Sequence, residues 1–150
     1  MELRTQIESD LKDAMRASNE IGKRTLRMVL ASIKLAEVDR GGGVKLDNAA
    51  IIPILQKEIK SRRESIHEAE KANRPDLVIS SQEEIAVLET YLPQAVSEPE
   101  LRSMAAEVIA ELNASSPADM GKVIKTLLTR LQGRAPGDQV SKVVREMLQK

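Results

Sequence analysis

Positive charge gathered near the C-terminal end is the clearest chemical feature of this sequence. Between residues 120 and 150 the chain carries seven Lys or Arg residues and two acidic residues, whereas the whole chain has 23 of each sign. The preceding segment, 94–119, is acidic. Cations concentrated in one small segment favour a polyanionic partner such as a phosphate backbone. The alternative is that amphipathic helices use Lys and Arg on their solvated faces.

Helical spacing directs these cations outward. In two predicted helices, apolar residues repeat every three or four positions, and the basic residues fall opposite that stripe or at its margin. One further Arg lies in the turn that joins the two helices. We name this set the basic surface, and it consists of Lys122, Lys125, Arg130, Arg134, Lys142 and Arg145. Because such a surface can follow a phosphate backbone, these six are the predicted nucleic-acid-binding residues.

Composition excludes several other chemistries. The chain has no Cys and a single His, His67, which rules out thiol chemistry, cysteine-ligated zinc and a histidine metal cluster. Tyr91 is the only aromatic residue, whereas proteins that read single strands stack bases on several aromatic rings. A nucleic acid would therefore be held through the backbone or shape of a folded molecule. No metal and no cofactor is expected.

No residue pattern indicates catalysis by this chain alone. The three glycines 41–43 are followed by Val44 and Lys45, which does not match the GxxxxGK(S/T) loop that cradles phosphates. The serine pairs at 80–81 and 115–116 are expected in caps and turns. The sequence therefore predicts no catalytic residue.

The elements that must position the basic surface are all helical. Apolar residues recur with a 3.6-residue period almost everywhere, and the segment 93–96 interrupts the pattern. We predict an all-α protein with an elongated N-terminal four-helix unit, 1–93, followed by a small C-terminal three-helix bundle, 97–150. Elongation is expected because a third helix over about 47–72 would measure roughly 36 Å. Ser97 with Glu100, and Ser116 with Asp119, predict the starts of helices five and six.

The inward faces of the first four helices follow from the same period. In helix two, a second apolar strip, Met28, Leu35 and Val38, is interpreted as further core, with a partner site as the alternative. The main inward residues are expected to be Leu3, Ile7, Leu11 and Met15 in helix one, Leu26, Val29, Leu30, Ile33 and Ala36 in helix two, Leu55, Ile59 and Ile66 in helix three, and Leu77, Ile85, Leu88 and Leu92 in helix four.

One charged residue falls within an apolar stripe. On helix three, Arg62 lies within about 40° of Leu55, Ile59 and Ile66 when each residue turns 100°. An unpaired buried charge is costly, so either a carboxylate lies nearby or the side chain reaches past the apolar stripe to water. Glu58 is one turn back, and Glu84 would come level across a tight turn between antiparallel helices. We predict a structural ion pair of Arg62 with Glu84, Glu58 or both, with an anion site as the functional alternative.

Several motifs, in order, resemble a known family. The segments LRMVLASIKLAEVDRG, LQKEIKSRRESIHEAEKANRPDL and EEIAVLETYLP are similar to the small free-standing YqeY proteins. The segments MGKVIKTLL, LQGRAPG and VSKVVREML resemble the tail domain of GatB, the tRNA-engaging subunit of the glutamine-dependent Asp/Glu-tRNA amidotransferase. Together these motifs cover essentially the whole chain.

The resemblance implies a non-catalytic helical module that binds tRNA, or a tRNA-charging enzyme, through its last three helices. The implied partners are folded tRNA, contacted along its backbone, and an aminoacyl-tRNA synthetase or amidotransferase. One alternative is a subunit or accessory of a carbon–nitrogen ligase that uses glutamine as amido-N donor. Another alternative is a protein-interaction module without RNA.

The chain departs from the family pattern at one position. The family has an acidic residue where this chain has Pro136, in the segment GRAPG. Proline supplies neither an N–H nor a carboxylate, so a capping or contact role would pass to Asp138.

Location is predicted from what the sequence lacks. No apolar run is long enough to span a membrane, and the first residues, MELRTQIESDLK, have no signal-peptide core. We therefore expect a cytoplasmic protein with no membrane partner.

Overall fold

The computed structural model describes residues 2–149, which form seven α-helices and a short 3₁₀ turn, with no β-strand in that range. In chain order the helices are α1 (Leu3–Arg16), α2 (Glu20–Asp39), α3 (Asn48–Lys71), α4 (Pro75–Glu89), α5 (Glu98–Glu111), α6 (Met120–Leu131) and α7 (Gly137–Leu148). The 3₁₀ turn, Pro117–Asp119, leads directly into α6. The predicted all-α class is confirmed. Lys150, one of the basic residues counted in the C-terminal segment, lies outside the described residues.

The helices group into two compact units, each with its own apolar core. The N-terminal unit, Met1–Leu92, holds α1–α4, and the C-terminal unit, Pro93–Lys150, holds α5–α7. The core of the N-terminal unit consists of Ile7, Leu26, Val29, Ile33, Leu46, Ile51, Leu55, Ile59 and Leu88. The core of the C-terminal unit consists of Val96, Leu101, Ala105, Val108, Val123, Leu127, Leu131, Ala135, Val140, Val143, Val144 and Leu148. Every helix therefore buries its apolar stripe within its own unit.

Helix ends coincide with the expected capping residues. At the start of α5, the Ser97 side chain accepts from Glu100 N at 3.3 Å, and the Glu100 carboxylate accepts from Ser97 N at 3.2 Å. This reciprocal pair satisfies two N–H groups that the helix itself leaves without partners. Asp47 caps α3 with a single side-chain bond, accepting from Ala50 N at 3.0 Å. After α2, the glycines 41–43 all adopt positive φ, which residues with a Cβ rarely do.

Two residues predicted to face inward are exposed instead. Met15 is 50% exposed, whereas Ala14 is 8% exposed and occupies the inward position. Steps of four residues drift by about 40° each, so Met15 lies about 80° from Ile7 while Ala14 lies about 20° away. Leu77, in the first turn of α4, is 46% exposed. Periodicity gives the direction of a side chain but not whether a neighbour reaches that end of the helix.

The second apolar strip of α2 is also exposed, so its interpretation as core was wrong. Met28, Leu35 and Val38 are 48%, 62% and 59% exposed, whereas Val29 and Ile33 on the opposite face are fully buried. A helical wheel shows that α2 has two apolar faces. It cannot show that only one of them meets the rest of the unit.

Candidate nucleic-acid interface

The basic surface lies on α6, on α7 and in the turn between them. Its six side chains are all exposed. Val123, Leu127 and Leu131 of α6 are fully buried in the core of the C-terminal unit, and the Lys residues of α6 therefore point outward. Both helices carry two cations three residues apart, Lys122 with Lys125 and Lys142 with Arg145, a spacing that places each pair on one face.

Four of the six cations form no salt bridge in the described part of the chain. These four, named the unpaired cations, are Lys122, Lys125, Lys142 and Arg145. Lys122 lies close enough to Asp119 to help lower the pKa of that carboxyl, although the backbone N–H groups of Ser115 and Ser116 are the larger causes. A ligand phosphate could contact the unpaired cations without first breaking an internal ion pair.

Arg130 already forms an ion pair with α5. Its guanidinium forms a two-contact ion pair with Glu111 of α5, with Nη1 to Oε1 at 3.1 Å. This hydrogen bond lowers the pKa of the Glu111 carboxyl. The pair joins α5 to α6, so a phosphate that approached Arg130 would have to compete with a carboxylate.

Arg134 connects the α6–α7 turn to the segment that leads into α5. Its carbonyl accepts from Val96 N at 2.9 Å, and its Nε donates to the Gln94 carbonyl at 3.1 Å. Val96 is 8% exposed and belongs to the core of the C-terminal unit. Arg134 also lines an open cleft together with Glu100. We therefore assign Arg134 a structural role that its residue type alone did not indicate.

A second internal ion pair links α5 to α7. Arg102 Nη2 lies 2.7 Å from Glu146 Oε2 and 3.1 Å from Glu98 Oε1. These hydrogen bonds raise the pKa of the Arg102 guanidinium. Glu98 and Glu146 are thus matched to Arg102, and Glu111 is matched to Arg130. The unpaired cations remain on α6 and α7.

The N-terminal unit contains the other predicted charged site. Arg62 is 6% exposed; its Nε donates to Glu84 Oε2 at 2.7 Å, and its Nη1 donates to Glu58 Oε2 at 2.7 Å. The structure thus brings Arg62 together with both predicted carboxylates, one on its own helix and one on α4. Two charge-assisted bonds at this distance satisfy a buried guanidinium.

The sequence did not indicate a further member of this cluster. Arg24 of α2 donates to Glu84 Oε1 at 2.8 Å and to Ser80 Oγ at 3.1 Å. Two guanidiniums therefore face the two carboxylates of Glu58 and Glu84, so the cluster leaves no excess positive charge for a bound anion. Ser80 lies within α4, so its predicted place in a cap or turn was wrong, and its hydroxyl serves this cluster. Arg24 and Glu84 are 60 positions apart, which no local pattern reveals.

Comparison with known proteins gives the family. The family model described as Yqey-like protein matches residues 4–148. The chain belongs to the YqeY-like protein family. Three curated relatives are named "Altered inheritance of mitochondria protein 41, mitochondrial". The protein of Lachancea thermotolerans is 37% identical over 75% of this chain, and that of Kluyveromyces lactis is 36% identical over 75%. The protein of Pyrenophora tritici-repentis is 29% identical over 95% of this chain and 79% of its own length.

The matched segments cover only part of the first two relatives. The alignment includes 60% of the Lachancea protein and 61% of the Kluyveromyces protein. The family is therefore shown for the matched domain, and the activity and partners of whole proteins in this family are proposals for this chain.

The relatives correct the predicted location. All three are named as mitochondrial proteins, which contradicts the expectation of a cytoplasmic protein. That expectation rested on the lack of an apolar signal, but mitochondrial targeting segments are amphipathic and Arg-rich rather than apolar. In residues 2–149, no helix combines the length and apolar character needed to cross a membrane.

The departure from the family pattern lies at the start of α7. Pro136 occupies the N-cap position, where its carbonyl accepts from Val140 N at 3.1 Å but its ring offers no capping bond. Asp138, in the first turn, accepts from Gln139 N at 3.0 Å. A carboxylate is therefore present in the first turn of α7.

Proposed function

We propose that this YqeY-like chain is a non-catalytic module whose C-terminal unit binds the backbone of folded tRNA. The observation that carries the proposal is the group of four unpaired cations, which lie exposed on two adjoining helices of a chain with no net charge. Neutralising phosphates with such cations releases condensed counterions, which favours binding. Because the chain has a single aromatic residue, backbone contacts rather than base stacking are expected.

The proposal assigns different tasks to the N-terminal unit, the C-terminal unit and a partner enzyme. An elongated four-helix unit, 1–93, would carry the small three-helix bundle, 97–150, that holds the RNA surface. Catalysis would reside in a partner: amide transfer in an amidotransferase acting as a carbon–nitrogen ligase with glutamine as amido-N donor, or aminoacylation in a tRNA-charging enzyme. This division rests on the absence of Cys and on the one histidine, His67, being exposed on α3.

A salt-dependent titration of the full chain against total tRNA tests the proposal. The test variant replaces the unpaired cations with Gln, at Lys122, Lys125, Lys142 and Arg145. We expect at least a tenfold loss of affinity at low salt, and a salt slope smaller by about 3, since each lost phosphate contact removes about 0.7 to 0.9. The control replaces four exposed cations of the N-terminal unit that make no ion pair with described residues, namely Lys12, Arg40, Lys57 and Lys60.

The control separates a local site from a general effect of charge. Both variants lose the same formal charge, so equal losses of affinity would reject the assigned surface. Unchanged affinity and slope in the test variant would reject it as well. Arg134 is kept in both variants because it bonds to the segment before α5. If it were replaced, a loss of binding could result from a destabilised fold rather than from a lost phosphate contact. Glutamine hydrolysis by the purified chain alone would contradict the non-catalytic part of the proposal.

A further inference from the structure

The exposed apolar face of α2 is the largest unexplained feature of the N-terminal unit. Met28, Leu35 and Val38 are three of the nine large apolar side chains that the described chain leaves exposed, and all three share one face of one helix. Ala31, also exposed, lies between them. Scattered single apolar residues on a surface need no explanation, whereas a contiguous row on one helix favours a docking site.

The spacing of this row is that of a coiled-coil seam. Positions 28, 31, 35 and 38 are separated by three, four and three residues, the a–d–a–d pattern that packs against one partner helix. We name these four residues the α2 seam. The first of them is held in place, because Met28 Sδ accepts from Arg62 Nη2 at 3.6 Å.

The seam has one cationic edge. Arg27 and Lys34 directly precede the two a positions, so they are g positions one heptad apart. Both are exposed, and neither has an ionic partner in the described part of the chain. On the other edge, Ser32 Oγ donates to Glu58 Oε1 at 2.9 Å and is thus engaged with α3. Asp39, the e position one heptad later, is also exposed and forms no salt bridge with described residues. The free charges beside the seam are therefore two cations along one edge and a single carboxylate at the end of the other.

We propose that the α2 seam docks an amphipathic helix of a partner protein, with an apolar stripe flanked by carboxylates one heptad apart. Such a helix would bury the four seam residues and neutralise Arg27 and Lys34. Antiparallel pairing with a second copy would instead bring two cationic edges together. A membrane surface is disfavoured because the seam is narrow, has no aromatic anchor and is flanked by only two cations. This inference concerns the N-terminal unit and is independent of the RNA proposal.

Two designed peptides of about four heptads can probe the site on the full chain. Both carry Leu at a and d; one has Glu and the other Lys at every e and g position, and like charges keep each peptide from pairing with itself. Binding is measured by fluorescence anisotropy of the labelled peptide. We expect micromolar binding of the acidic peptide and at least tenfold weaker binding of the basic peptide.

Matched variants locate the binding surface. Leu35→Ser with Val38→Ser should reduce binding of the acidic peptide at least tenfold, whereas Leu77→Ser with Ile79→Ser, both exposed on α4, should leave it unchanged. The two pairs are comparably exposed, at 62% and 59% against 46% and 55%. Arg27→Glu with Lys34→Glu should reverse the preference, so that the basic peptide binds more tightly. Circular dichroism checks that each variant remains helical.

Several outcomes would overturn the inference. These are no binding of either peptide, equal binding of both, or equal loss of binding in the α4 variant. Sedimentation that shows a dimer abolished by the seam variant would assign the seam to a second copy. Binding to anionic phosphatidylserine vesicles that is abolished by the same variant would assign it to a membrane.

Discussion

Arg62 in the N-terminal unit and the unpaired cations in the C-terminal unit show two opposite arrangements of positive charge. The side chain of Arg62 is 7% exposed and lies 2.7 Å from each of two carboxylates. Lys122 and Lys142 are exposed and form no salt bridge with the described residues. A buried cation needs its counter-charge inside the chain, whereas an exposed one keeps water until an anionic partner displaces it. Burial therefore separates the cations that hold the fold from those available for recognition.

Arg130 and Arg134 are intermediate cases. Both are exposed, yet Arg130 is paired with Glu111, and Arg134 donates to the Gln94 carbonyl. Exposure alone therefore does not identify a binding residue. The internal partner of each cation must be known before a surface is assigned.

The largest expected effect comes from removing the buried cation. Arg62→Ala leaves Glu58 and Glu84, which are 19% and 14% exposed, without their main partner. Breaking a buried ion pair by removing one partner costs several kcal/mol, and because Arg24 still contacts Glu84 we expect a loss of about 3 kcal/mol. Urea unfolding followed by Tyr91 fluorescence measures this, since the only aromatic residue lies in the N-terminal unit.

The neighbouring arginine is the matched control. Arg63 is 60% exposed and lies 3.6 Å from Glu89, so Arg63→Ala should cost less than about 1 kcal/mol. Similar losses from Arg62→Ala and Arg63→Ala would contradict the distinction between buried and exposed cations.

The sequence was sufficient to predict an interaction where one helix carried both the apolar stripe and the partner residue. The apolar stripe and Glu58, one turn away, were enough to predict that Arg62 is buried and paired. Caps such as Ser97 with Glu100 could be predicted equally well because four consecutive residues contain the whole interaction. The family was recognisable from local segments for the same reason.

The sequence was insufficient to predict a hydrogen-bond partner or the burial of a side chain where these depend on residues far apart in the chain. The partnership of Arg24 with Glu84 joins residues far apart in the chain. The bond from Arg134 ends on a backbone carbonyl, an acceptor that every residue carries and that residue type therefore cannot indicate. The exposed position of Leu35 depends on how many helices surround α2, which periodicity does not reveal.

A second prediction concerns the boundary of the C-terminal unit. A fragment starting at Pro93 should be helical and cooperative in isolation, because the unit has its own core. A fragment starting at Ser97 lacks the buried Val96 side chain and the hydrogen bond from Val96 N to the Arg134 carbonyl. It should therefore be less stable by about 2 kcal/mol. Thermal unfolding by circular dichroism compares the two. Equal stability would deny the segment 93–96 a structural role, and two unfolded fragments would show dependence on the N-terminal unit.

A third prediction separates a bonded cation from an unpaired one within the same surface. Arg134→Ala removes the bond to the Gln94 carbonyl and should destabilise the C-terminal unit by about 1 kcal/mol. Arg145→Ala removes an exposed side chain without an ionic partner among the described residues and should change stability by less than about 0.5 kcal/mol. Urea unfolding of the fragment starting at Pro93 measures both changes. A larger loss from Arg145→Ala than from Arg134→Ala would reverse the roles assigned here.

The smallest expected effect concerns a carboxylate of the N-terminal unit and its pH dependence. Glu37 accepts from Leu46 N at 2.8 Å and is paired with Arg4, and this backbone bond, with Arg4, lowers the pKa of the Glu37 carboxyl. Because the folded pKa is below the unfolded one, the stabilisation is complete above the ordinary Glu pKa of about 4.3 and is lost as pH falls through the folded pKa. Glu37→Gln should therefore be less stable than the natural chain at pH 7, and the difference should shrink below about pH 4. Urea midpoints from Tyr91 fluorescence at several pH values measure this difference in stability.

Glu8, an exposed carboxylate without an ionic partner in the described residues, provides the control, since Glu8→Gln should show no such pH-dependent difference. A difference for Glu37→Gln that persists undiminished in acid would mean that its carboxylate charge does not stabilise the unit.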